Sequence, residues 1–159
     1  MRFILTISLF LIAGCVGRVD ISQQNLSSEI SEKCYSATKE MIIYSADTFP
    51  NPTYELISPK LNKLPWRTSL APWKVKSTIA KGDVIRITKV YDQSYGTAGS
   101  CWEVFATLKS SSEIEFRIPA CWVDHSVDNW VRPKYPWKQE KTNEKLRIDT
   151  DLLEEVTCI

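Results

Sequence analysis

A cysteine stands at each end of a self-complementary stretch, residues 101–121, CWEVFATLKSSSEIEFRIPAC, and this stretch narrows the possible folds more than any other. Two alternating apolar runs flank a polar segment at 109–113, the pattern of a β-hairpin with a loop of about five residues. With the loop centred on Ser111, partners have residue numbers summing to 222. Trp102 then faces Ala120, Val104 faces Ile118, Ala106 faces Phe116 and Leu108 faces Ile114, so one side of the ribbon is apolar. On the other side Cys101 falls opposite Cys121. Alternation fixes only the parity of pairing, and a slip of two residues would keep the oily face. The cysteines select among the permitted registers. Opposed residues in an antiparallel pair have Cα atoms about 4.5–5.5 Å apart, within a disulfide's reach.

Upstream, Lys81-Gly82-Asp83 supplies turn chemistry and residues 84–91 are rich in β-branched side chains, so a strand starts there. Ile85 and Ile87 face inward, Arg86 and Thr88 face water, and Val90 then arrives on the polar side. A bulge near Thr88 restores the pattern. Residues 41–45, MIIYS, read as another strand. Between 49 and 73 stand Pro50, Pro52, Pro59, Pro65 and Pro72, a density that forbids a helix and demotes any strand to an edge. Residues 92–100, DQSYGTAGS, read as a turn-rich loop, 129–132 as a short closing strand led by Trp130, and 151–156 as a helical turn or a terminal strand.

Lys81-Gly82-Asp83, Trp102-Glu103-Val104 and Trp122-Val123 together resemble the bacterial SH3-like domain, with Cys121 where that family often has glycine. The resemblance covers about a third of the chain and implies a small barrel that takes ligands at the end bearing the 92–100 loop. The expected fold is mostly β: a small SH3-like barrel over 34–159, with a long proline-rich loop insertion and a short C-terminal helical turn or strand.

Residues 1–14 pair a positive start at Arg2 with an apolar run from 3 to 12, the form of a secretory signal peptide. Ala13 and Gly14 directly before Cys15 resemble the bacterial lipoprotein lipobox. That resemblance implies an acylated Cys15 as first mature residue, a palmitate-type lipid anchor in the bilayer. Val16, where an aspartate would mark retention at the inner membrane, favours the outer membrane of a Gram-negative envelope, facing the periplasm. An ordinary signal peptide with Cys15 incidental is the other reading. Residues 15–33, rich in serine, glutamine and asparagine, are expected to be a flexible tether after the lipid.

Removing the leader takes the twenty basic residues to nineteen, equal to the nineteen acidic ones, so the mature chain is formally neutral. Without a basic field or cluster, nucleic acid is not an expected partner. Four cysteines remain in an exported chain and allow three pairings. The hairpin register joins Cys101 to Cys121 and leaves Cys34 for Cys158. No CxxC spacing offers a metal site, no cofactor motif occurs, and His125, the sole histidine, lacks a partner arrangement for catalysis.

The Pro-Trp pairs at Trp66, Trp73 and Trp137, each followed by a base, read either as an aromatic binding platform or as indoles packed over the barrel ends. Tyr95, mid-loop, is a further candidate contact, with a solvated connection as the alternative. The expected function is non-catalytic: a membrane-anchored envelope lipoprotein that binds peptidoglycan or an envelope protein. A periplasmic inhibitor or immunity protein against a toxin or cell-wall hydrolase is the other candidate.

Overall fold

The computed structural model describes residues 16–46, 53–57, 74–121, 129–135 and 143–158. Its strands are β1 (Val16–Asp20), β2 (Cys34–Ala37), β3 (Met41–Ala46), β4 (Thr53–Ile57), β5 (Lys74–Ile79), β6 (Val84–Tyr95), β7 (Ser100–Leu108), β8 (Ser111–Ile118), β9 (Val131–Arg132), β10 (Arg147–Ile148) and β11 (Leu153–Val156). The protein is mostly β. One sheet runs β11-β2-β6-β7-β8-β4-β3-β5, with β1 also on β6, and β9 and β10 form a separate ribbon. The expected closure into a barrel does not occur: among the described residues the path is open, with β5 and β11 at its ends. β5 is blunted as an edge by Lys74 and Lys76, both exposed.

β6 organises the sheet. Gly82, at φ 92°, makes the left-handed turn that an L side chain resists and so starts the strand. β7 lies along one side of β6, while β2 and then β1 share the other. The register with β7 runs Ile85↔Leu108 and Ile87↔Ala106, then shifts and resumes at Lys89↔Phe105 and Val90↔Val104. Thr88 is the extra residue. The bulge keeps Ile85, Ile87 and Val90 on one face, all fully buried.

The β7–β8 hairpin pairs Val104 with Ile118, Ala106 with Phe116 and Thr107 with Glu115, the expected alignment. Its end differs, because Leu108 pairs with Ser111 rather than Ile114. Lys109 N–H donates to the Val84 carbonyl at 2.8 Å, tying the turn to the start of β6. The loop therefore tightens, and β8 absorbs the surplus residues as an irregularity. The disulfides join Cys101 to Cys121 and Cys34 to Cys158, with Cα–Cα distances of 5.2 and 5.3 Å.

Four further expectations change. Residues 16–33 are not a tether: β1 pairs with β6 from Val16↔Tyr95 to Asp20↔Tyr91, and the domain therefore includes residues well before 34. Beyond β1, Ile21 and Ile30 enter the core, and the Ser27 hydroxyl donates to the Ile21 carbonyl. Polar composition concealed two isoleucines that anchor the segment. β4 is an inner strand between β3 and β8, not an edge, because Pro52 and Pro59 lie outside its five residues. Residues 92–95 continue β6, leaving only a short 3-10 turn, Gly96–Ala98, as the loop. The segment led by Trp130 gives β9, which pairs with β10 and closes nothing in the main sheet.

The core lies on the inner face of the curved sheet. Met41, Ile43, Ile79, Ile85, Ile87, Val104, Phe116 and Ile118 meet Trp130, Val131, Leu146 and Leu152 from the C-terminal segments. At about 25 cal/mol per Å² of buried apolar surface, such a cluster is the main favourable contribution to folding. The C-terminal residues settle as strand β11 on β2, where the Cys34–Cys158 bridge holds them.

Candidate functional site

Beyond Val90 the inner face of β6 turns from aliphatic to polar. The bulge decides this, since it assigns Asp92 and Ser94 to the core-facing side and Tyr91, Gln93 and Tyr95 to the other. Ser94 pairs with Ser100, and Asp92 with Trp102. Asp92, Ser94 and Ser100 line a cleft of about 740 Å³ at the tip of the β6–β7 hairpin, which Gly17 and Val19 of β1, Asn129, Lys134 and Tyr135 complete, with Trp102 packed beneath Tyr135.

The floor of the cleft is fixed by hydrogen bonds as well as by packing. Trp102 is buried, its ring 4.5 Å from Tyr135 in a tilted stack, and its Nε1–H donates to the Pro133 carbonyl at 3.0 Å. Tyr135 Oη–H donates to Asp92 Oδ1 at 2.9 Å. Burial first, and then that bond to Asp92, hold the Tyr135 phenol above its ordinary pKa. The lining offers a carboxylate, serine and threonine hydroxyls, backbone around Gly96 and Gly99, and the exposed ammonium of Lys134. Groups of both signs over an aromatic floor can bind a polar ligand.

The lining holds one carboxylate among the described residues, Asp92, whereas glycoside hydrolysis takes two. Both described disulfides leave Cys34, Cys101, Cys121 and Cys158 without a thiolate. No group of three or more His, Cys, Asp or Glu residues is arranged to hold a metal among the described residues.

The opposite face carries ion pairs that fasten β1 to the sheet. The Arg18 guanidinium lies 3.7 Å from the Tyr91 ring centroid and 5.0 Å from that of Phe105, with Nε 3.3 Å from Glu103 Oε2. Arg117 Nη1 meets Glu103 Oε1 at 3.1 Å, and its Nη2 pairs with Glu55. Glu55 and Glu103 are both buried, so Arg117 holds two largely desolvated carboxylates.

Of the residues singled out in the sequence, Tyr95 borders the cleft from the wrong side: it ends β6 on the outer face, its Oη–H donating to Glu103 Oε1 at 3.3 Å. Trp66, Trp73, Trp137, Trp122, His125 and Cys15 lie outside the described residues. The cleft residues that the sequence left unmarked are Asp92, Ser94, Ser100, Lys134 and Tyr135. Carrying the alternation through the Thr88 bulge would have found the first two. Tyr135 reaches the cleft only through packing on Trp102, which has no local signal. No helix among the described residues is long and apolar enough to cross a membrane. Set against family models, curated proteins and solved structures, the chain matches none.

Proposed function

We propose that the chain is a non-catalytic lipoprotein of the bacterial envelope, acylated at Cys15 and facing the periplasm from the outer membrane, and that its hairpin-tip cleft binds a membrane-borne envelope protein. The observation that carries this is the place of the cleft. Gly17 and Val19 form part of its lining, so the wall begins two residues after Cys15. At about 3.8 Å per residue, the anchor and the binding wall are within roughly 8 Å of chain. A partner held in the same bilayer is within reach of such a site.

The single carboxylate and the bridged cysteines support binding rather than catalysis. Kinship with SH3-like domains is part of the same proposal. It is supported by the Lys81-Gly82-Asp83 turn before β6 and by Trp102-Glu103-Val104 on β7, in an open sheet.

A photocrosslinking residue placed at Lys134 in intact cells tests the reading. A discrete adduct with one integral or lipid-anchored protein is expected. Peptidoglycan is the second ligand class the sequence suggests. No adduct, together with co-sedimentation of the purified protein with sacculi, would replace the protein partner by peptidoglycan. A stoichiometric complex with a secreted toxin or hydrolase would favour the inhibitor reading instead.

A further inference from the structure

We infer that the tip of the β6–β7 hairpin rests on the bilayer that holds the acyl chains, so that the domain stands on the membrane rather than hanging from a tether. The inference depends on acylation of Cys15, as proposed above. Val16 is already in register with Tyr95, and Gly17 with Ser94. Consecutive Cα atoms are about 3.8 Å apart, so a lipid on the residue before Val16 sits beside the turn. β1 has little freedom to peel away and supply slack. Its Arg18 stacks on Tyr91 and pairs with Glu103, and Ile21 N–H donates to the Val90 carbonyl at 2.9 Å.

The two ends of β6 differ in what they would bring to a lipid surface. The tip, residues 94–100, SYGTAGS, carries no charge, and its Thr97 is exposed. Pressing it against headgroups strips water from no ionised side chain. The other end presents Lys81 and Asp83 at the turn, bonded to Ala37, with Lys39 paired to Asp151 just beyond. Twelve residues of β6 separate the ends, roughly 35 Å at the usual strand rise.

The full-length acylated protein in phosphatidylethanolamine–phosphatidylglycerol vesicles tests this. Thr97→Cys and Lys81→Cys are each labelled with a polarity-sensitive fluorophore and exposed to quenchers carried on the lipid headgroups. The native cysteines are bridged or acylated, so each variant has one free thiol. The Thr97 label is expected to be quenched several-fold more than the Lys81 label, and a Gly-Ser spacer inserted after Cys15 should erase the difference. Equal quenching with Cys15 shown by mass spectrometry to be acylated overturns the inference and leaves the anchor standing. An unmodified Cys15 overturns both.

Discussion

The two halves of β6 share one strand and one partner, β7, yet they serve different ends. From Val84 to Ile87 the strand lies between β2 and β7, and its inner face is aliphatic and dry. From Val90 to Tyr95 it lies between β1 and β7, and its inner face becomes the polar wall of a cleft. Only the Thr88 bulge separates them. A residue that adds nothing to the core thus determines which side chains the core and the cleft receive.

The contrast is broken most severely by deleting Thr88 and Lys89 together. With Thr88 alone removed, plain alternation still holds Val90 inward; the second deletion sends Val90 outward while Tyr91, Gln93 and Tyr95 turn in. A loss of more than about 4 kcal/mol is expected, the range reserved for buried polar groups and broken cores. Chemical denaturation read by tryptophan fluorescence measures it, and a cooperative transition near that of the parent would show that the residue count along β6 does not set its faces.

Each half also has its own fastening. The Cys34–Cys158 bridge closes a loop with a sequence separation of 124 around the β2 end, and Cys101–Cys121 one of 20 beside the cleft. Loop entropy makes the larger bridge worth about 4 to 5 kcal/mol and the smaller about 1.5 kcal/mol less. Paired Cys→Ser variants should lose stability in that order, and the reverse order would place the weight on the cleft end. Arg117→Ala takes from the buried Glu55 and Glu103 carboxylates the guanidinium they share and should cost about 3 kcal/mol, the low end of a broken buried ion pair, because Arg18 and Tyr95 still meet Glu103. Replacing all three by apolar residues should recover most of that, a comparison a denaturation series settles.

The smallest effect sharpens the description of the cleft. Tyr135→Phe keeps the ring on Trp102 and removes the bond to Asp92, at about 1 kcal/mol for a partly buried site. Because the Tyr135 pKa is raised in the folded state, its contribution is complete below the ordinary tyrosine value of 10.0 and is lost as pH rises through the folded pKa. Tyrosinate absorbance should accordingly show late-titrating components from Tyr135 and from Tyr35, which burial also raises, and Tyr135→Phe should remove one of them. Loss of only a component titrating at the ordinary tyrosine value would place the phenol in water.

The sequence disclosed what local periodicity and covalent chemistry encode. The bulge at Thr88, the alignment of Val104 with Ile118 and the strand at Met41 all follow from counting along the chain. What it hid depends on distant partners. VGRVD at 16–20 has no periodicity to distinguish it from a linker, and it becomes a strand because Arg18 finds Tyr91, Phe105 and Glu103. Ser111 pairs with Leu108 because Lys109 is held by Val84, a contact outside the hairpin. β4 sits inside the sheet because Glu55 meets Arg117 across a parallel pairing, and the prolines that suggested an edge stop short of it. In the cleft, Asp92 and Ser94 were within reach of the alternation rule, whereas Tyr135 was not.

Proximity of anchor to cleft depends on β1 belonging to the sheet, and amide hydrogen exchange across residues 16–21 in the mature protein examines that directly. Protection comparable to that of β7 is expected. Exchange at the rate of an unfolded peptide would return this segment to a tether and separate the cleft from the membrane.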